Sequence, residues 1–249
     1  MATIAPTPST AHAEPRAATN DAWLRLLVWT VAVVAAVDVA FMALATVLIP
    51  PLAIGAVLTG VGLAVARWRP RAGTIVLGLT SLLLLAGGLP FAVEHLPYPS
   101  SGVDFAHSVI GIFGRIATIV MTVMVLRRAS DASARRAGAL VVVLLGLTLL
   151  VATIASMAST GDEARPGDVV TAIDDHAFDE VIEVGAGDTL FVDNLEPFRH
   201  TFTVEGTAID VVTPALQGVR IPVDLDPGSY PVICDVPGHE AMTATLVMR

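Results

Sequence analysis

Up to residue 158 the chain is dominated by apolar runs. Five of them, at about 23–49, 51–66, 73–93, 106–126 and 138–158, approach or exceed the roughly 20 residues that a helix needs to cross hydrocarbon. The second is the shortest. A chain with five such runs has few soluble solutions, and the arginines say how the runs are oriented. Arg67, Arg69 and Arg71 sit between the second and third runs, and Arg127, Arg128, Arg135 and Arg136 between the fourth and fifth. The other two connections, around Pro50–Pro51 and from Glu94 to Asp104, have no arginine or lysine. Every arginine-rich connection therefore lies on one side, which the positive-inside rule makes the cytoplasm. The N-terminus is then inside and residues 159–249 outside. The first run is too long for a signal-peptide core and reads as a retained anchor. Residues 1–20, rich in Ala, Thr and Pro, read as a disordered cytoplasmic tail in which His12 has no role.

Composition divides the chain at the same place. Residues 1–158 hold ten arginines against six acidic residues, and residues 159–249 hold four against seventeen. An acidic outer module argues against nucleic acid as a partner and favours basic proteins. A single cysteine, Cys234, excludes an internal disulfide, so any special chemistry it has is that of a lone thiolate.

Two charges fall deep in apolar runs: Asp38 in the first and Arg115 in the fourth. Such charges are expensive and normally face a partner inside the bundle. At about 1.5 Å per residue the two sit at similar depth, so an Asp38–Arg115 pair is expected. On the fourth run Asp104, His107, Gly111, Arg115, Thr118 and Thr122 recur every three or four residues, which places them on one helical face. At its outer end Asp104 and His107 are expected to meet Glu94 and His95. Two readings stay open for this stripe: packing and pairing within a bundle, or an intramembrane quinone, haem or metal site. Haem would have only His95 and His107 as axial ligands. Met121 and Met124 read as core or lipid-facing residues.

After a polar linker at 159–168, short β-branched runs alternate with turn signals, as in an antiparallel sandwich or barrel. Strand alternation decides which residues share a face. His200 goes with Phe202 and Val204, Cys234 with Val232 and Tyr230, and Met242 with Ala244, Leu246 and Met248. His239 sits in a Pro-Gly turn between the last two strands. Four donors thus converge at one end of a small β module. A thiolate, two imidazoles and a thioether form a soft nitrogen–sulfur set, which suits trigonal His₂Cys copper with a weak axial Met. Zinc more often recruits further cysteines or a carboxylate. His176 reads as a surface residue with no role.

The segments GDTLFVDNLEPFRHTFTVEG and GSYPVICDVPGHEAMTATLVM resemble those of the cupredoxins, the plastocyanin, azurin and amicyanin superfamily, over about residues 169–249. The resemblance implies an all-β cupredoxin-like Greek-key sandwich at 169–249, which with the apolar runs makes a mixed architecture whose first part is a five-helix transmembrane bundle at 21–158, a part that resembles no known family. It also implies one type 1 copper per chain, with His200, Cys234 and His239 equatorial and Met242 axial, and Asn194 in the loop leading to the first histidine. Four residues separate Cys234 from His239 and two separate His239 from Met242. The first interval is longer than in plastocyanin and the second as short as in amicyanin, which bears on the copper–Met distance. By the same resemblance His239 is the electron port, ringed by Pro197, Phe198, Pro237, Gly238 and Ala241. The expected function is a membrane-anchored electron carrier rather than an enzyme, with a basic cytochrome or oxidase as partner. The alternative is a copper-handling protein for storage, sensing or delivery. A multicopper enzyme is disfavoured, since no His-x-His pair is present.

Overall fold

The computed structural model describes residues 21–249; the tail at 1–20 lies outside the described residues. Five helices come first: α1 (Asp21–Leu44), α2 (Pro50–Trp68), α3 (Pro70–His95), α4 (Gly102–Leu126) and α5 (Asp131–Ala158). All five are long and apolar enough to cross a membrane. Prolines set two of the starts. Pro50 and Pro70 stand at the first helical positions of α2 and α3, where a missing N–H costs nothing. Three boundaries depart from the sequence reading. Helix α1 stops at Leu44 rather than continuing to Ile49, because Thr46 takes a left-handed φ of 53° just ahead of Pro50–Pro51. Helices α4 and α5 start earlier than their apolar runs, through polar first turns containing Asp104 and Asp131 that suit a helix N-terminus.

Helix α4 packs against α1, α3 and α5 and is the centre of the bundle. Its polar stripe is the buried face: Asp104, Ser108, Gly111, Arg115, Thr118 and Thr122 are all enclosed. The opposite faces of the helices are large and apolar, as at Leu83, Val142 and Leu149, a surface suited to lipid.

Residues 169–248 then form nine strands in two packed sheets: β1 (Val169–Asp174), β2 (Ala177–Phe178), β3 (Val181–Val184), β4 (Thr189–Asn194), β5 (His200–Val204), β6 (Asp210–Thr213), β7 (Gly218–Pro222), β8 (Gly228–Ile233) and β9 (Thr243–Met248). One sheet has the order β2-β1-β4-β7 and the other β3-β9-β8-β5-β6. Two pairs, β1 with β4 and β3 with β9, are parallel, so the sandwich is mixed rather than purely antiparallel. Strands β2 and β3 carry the chain from one sheet to the other, and this crossover lets β4 return alongside β1. Between the sheets lies one core that includes Ile173, Leu190, Phe202, Val232 and Leu246. The alternation read from sequence holds. His200, Phe202 and Val204 all point inward at 1% exposure or less, and Leu246 and Met248 are buried with Met242.

The connection at 159–168 is pinned rather than loose. Asp162 forms a β-bridge with Gly218 at the β7 edge, and its N–H donates to the Gly218 carbonyl at 2.8 Å. Arg220 donates to both Asp168 carboxylate oxygens, at 2.8 and 2.6 Å, and the guanidinium holds the Asp168 carboxyl near a pKa of about 2.

Candidate metal centre

Three neighbouring strands of one sheet and a single loop assemble the centre. His200 opens β5, Cys234 follows β8 and Met242 precedes β9. In the β8–β9 loop, His239 N–H donates to the Val236 carbonyl at 3.0 Å. This closes a tight turn with Pro237 and Gly238 at its corners. Gly238 has φ +92°, so a side chain there would strain the turn that presents His239.

The donor atoms converge. Cys234 Sγ lies 3.8 Å from His200 Nδ1 and 3.6 Å from His239 Nδ1, and the two rings are 4.8 Å apart at their centroids. The sulfur and two nitrogens fall within 4.8 Å of one another and could hold a metal ion. Met242 is 3% exposed in the same core, and its carbonyl accepts the Cys234 N–H at 3.1 Å. All four sequence-predicted residues therefore lie together.

The surroundings prepare these donors. His200 Nε2 is 2.6 Å from Glu196 Oε2; with Nε2 as the donor, the lone pair of Nδ1 is left facing the sulfur. Burial lowers the pKa of His200, and burial with the neighbouring imidazoles lowers that of His239 to about 4, so both rings are neutral. The thiol behaves in the opposite sense. Burial pushes Cys234 up, while the N–H groups of Thr201 (3.4 Å from the sulfur) and Val236 pull it down. Without a cation Cys234 is a thiol; with one, two backbone donors already point at the thiolate.

The loop before β5 is fixed by Asn194, which is fully buried. Its side-chain N–H₂ donates to the carbonyls of Phe198, Thr213 and Pro214 at 2.8–3.0 Å, and its Oδ1 accepts the Glu196 N–H. Glu196 is thereby aimed at His200, a role that the sequence reading did not assign.

His176 corrects that reading outright. It is not a surface residue without a role, because the β1–β2 hairpin turns on Asp175 and His176, both at positive φ (48° and 55°). A β-hairpin of this kind favours Asn or Gly, so a histidine there is strained and must be held. Its backbone N–H donates to Glu196 Oε1 at 2.6 Å and Nδ1 to Glu196 Oε2 at 2.8 Å, while Nε2 donates to the Ala45 carbonyl at 2.8 Å. Burial works against a charge on this ring, but the Ala45 carbonyl and Glu196 outweigh it and raise the pKa. An imidazolium thus links the end of α1 to the carboxylate behind His200.

The position of the centre also corrects the expected contact patch. Phe198 is buried, edge-on against Phe41 of α1 at 5.4 Å, and does not ring an open port. Arg199 N–H donates to Asp104 Oδ2 at 2.7 Å, and the Arg199 guanidinium lies 4.5 Å over the Tyr98 ring. Ala215 N–H donates to Ser101 Oγ. The metal-site end of the sandwich therefore sits on the C-terminal end of α1 and the N-terminal end of α4, leaving Gly238, Glu240 and Ala241 exposed at one flank.

Within the bundle Arg115 donates to Asp38 Oδ2 at 2.7 Å, the pair expected from depth, and His107 Nε2 reaches Asp38 Oδ1 at 3.1 Å. Gly111 makes this reach possible, since a Cβ there would lie 2.6 Å from Arg115 Nη1. No hydrogen bond or ion pair among the described residues joins Glu94 or His95 to Asp104 or His107 as expected. Asp104 turns outward to Arg199, and Glu94 is exposed, because an unpaired carboxylate at a helix end is better solvated than enclosed.

No protein-family model matches the chain, and no curated protein matches it. Among solved structures it is similar to a reduced single-substitution variant of amicyanin at 19% identity, covering 35% of this chain and 87% of that one with a TM-score of 0.31. A further reduced amicyanin variant gives 18% identity over 36% and 90%, with a TM-score of 0.32. The amicyanin of Paracoccus versutus gives 19% over 35% and 86%, with a TM-score of 0.30. From its own strand order and its convergent His200, Cys234 and His239, the chain is a cupredoxin-like sandwich behind five membrane-length helices.

Proposed function

We propose that the protein is a membrane-anchored blue copper carrier that passes single electrons through one copper held by His200, Cys234 and His239, with Met242 as the weak axial ligand. The observation behind this reading is the convergence of one buried sulfur and two neutral imidazole nitrogens within 4.8 Å at a core that excludes water. Copper bound there would supply a reversible one-electron couple. The chain does the rest. Glu196 orients His200, the N–H groups of Thr201 and Val236 stabilise the thiolate, and the rigid sandwich resists rearrangement between charge states. The arginine-bearing connections between α2 and α3 and between α4 and α5 support a cytoplasmic N-terminus and an extracytoplasmic copper domain. The acidic outer module suits a basic electron-exchange partner such as a cytochrome or an oxidase, through fast, salt-sensitive encounters.

Copper(II) added to the purified full chain, followed by visible absorption, tests this reading. One equivalent with an intense thiolate-to-copper band supports it. Copper bound without that band would favour storage or delivery, and no copper bound would overturn both.

Proton competition gives an independent check. The His239 ring takes a proton only below about pH 4, and burial moves His200 in the same direction, so neither competes with metal near neutrality. The Cys234 thiol, raised by burial, must lose its proton on binding. The logarithm of metal affinity should therefore rise by about one per pH unit near neutrality, and turn steeper in acid as the histidines protonate, His239 near pH 4. Cobalt(II) titrations at several pH values measure this. A slope of two or more near pH 6.5 would show that the histidines titrate normally.

A further inference from the structure

The bundle holds polar chemistry directly beneath the copper ligands that anchoring does not require. The His107 ring stacks on Phe41 at 4.0 Å, Phe41 meets Phe198 at 5.4 Å, and Phe198 lies two residues before His200. His107 Nε2 is engaged by Asp38, which Arg115 in turn neutralises. With Nε2 protonated and bonded to the carboxylate, Nδ1 is left with a free lone pair and makes no hydrogen bond. The His107 side chain is 18% exposed, so the ring is not fully sealed into the packing. Beside it, His95 lies within electrostatic reach of both His107 and His239, and its Nδ1 is enclosed without any partner. The Nε of Arg115, a residue 7% exposed, is enclosed and unpartnered as well. Buried polar atoms are nearly always satisfied, so the enclosed Nδ1 of His95 and the unpaired Nδ1 of His107, on the helices below the copper ligands, point to a bound polar ligand.

The surroundings narrow its chemistry. Large apolar side chains cover the outer faces of the helices, so the ligand must be lipid-soluble and carry hydroxyl or carbonyl groups. Haem is disfavoured because Asp38 occupies His107 Nε2 and Phe41 covers one face of the ring. His95 and His107 belong to no three-donor cluster among the described residues, which disfavours a metal.

Resting on the copper reading above, we infer that His107 and His95, with Asp38 orienting His107, form a binding site for the head group of a lipid-soluble hydroquinone that donates electrons to the copper. A hydroquinone hydroxyl donates to His107 Nδ1. In each transfer its O–H bond breaks, the proton passes to Nδ1 and one electron goes to the oxidised copper. The imidazolium so formed is stabilised by Asp38. A second transfer, after the imidazolium has released its proton to water at the membrane surface and an extracytoplasmic one-electron acceptor has reoxidised the copper, completes conversion to the quinone. The edge-on rings of Phe41 and Phe198 fill the contact between the two sites.

The test uses copper-loaded full chain in lipid nanodiscs, mixed rapidly with decyl-benzohydroquinone or with hexaammineruthenium(II), a water-soluble reductant. Wild type should be bleached by both. His107→Phe preserves the stack on Phe41 but removes the base. It should slow bleaching by the hydroquinone at least about tenfold while leaving the copper band and bleaching by ruthenium unchanged. His95→Phe should act in the same direction. In copper-free chain a photoreactive azidobenzoquinone should label the outer ends of α3 and α4, and decyl-benzohydroquinone should compete. Absence of that labelling, or equal hydroquinone rates in wild type and His107→Phe, overturns the site. An absent copper band overturns the copper reading instead, so the two failures are distinguishable.

Discussion

In Cys234→Ser the intense visible band of the copper-loaded chain should disappear, and copper affinity should fall by more than the roughly 10–100-fold typical of changes behind a metal's ligands. The fold should survive. Serine is nearly isosteric, and the Thr201 N–H that lies 3.4 Å from the sulfur can donate to a hydroxyl in its place. The site is 4% exposed within a continuous core, so a buried hydroxyl costs only about 1–3 kcal/mol even if poorly bonded. Visible absorption and copper stoichiometry measured on the same sample separate the outcomes. A variant that keeps a native-like band would show that the sulfur does not bind copper. Loss of the band with circular dichroism unchanged is the expected result.

The second large effect lies within the helices. Asp38→Asn should destabilise the bundle by about 3–5 kcal/mol, because it leaves the buried Arg115 guanidinium without its carboxylate. The charge cannot easily reach water, since Arg115 is 7% exposed near the middle of α4. Asp38→Leu combined with Arg115→Met removes both charges and should recover most of the loss, whereas Arg115→Met alone strands Asp38 with only His107. Unfolding in mixed detergent micelles, compared across the single and double variants, measures the coupling. Additive losses would mean that the two residues are not a working pair.

Much of this was legible before the structure, for identifiable reasons. Period-two alternation placed His200, Cys234 and Met242 on inward faces because each strand has one buried side, and a one-residue slip would have exposed Phe202 and Leu246. Depth along two helices was enough to pair Asp38 with Arg115. Two of the misses share a different cause, namely partners that are backbone atoms. His176 looked like a solvent turn in AIDDHAF because its decisive partner is the carbonyl of Ala45, 131 positions earlier. Asp104 was assigned to neighbouring side chains, yet it binds the N–H of Arg199. Phe198 looked available for a partner until Phe41 covered it. A main-chain donor or acceptor leaves no mark on residue type, so sequence alone could not show that the two halves meet at the end bearing His200, Cys234 and His239. The strained φ of His176 is the one clue, and it is visible only in coordinates.

The pinned connection at 159–168 has a further consequence. Asp162 is sewn to the edge of β7, and Ser159, the residue after α5, donates to the Gln217 side chain at 2.9 Å. The β domain therefore has no slack with which to swing outward like a carrier on a string. In a bilayer its reach is the lipid surface itself, and it searches by lateral diffusion in two dimensions rather than by sampling a volume. On the proposed function, a partner that meets its exposed flank at Gly238, Glu240 and Ala241 must come down to that height. Membrane residence of both molecules then raises their effective concentration without any strengthening of the contact between them.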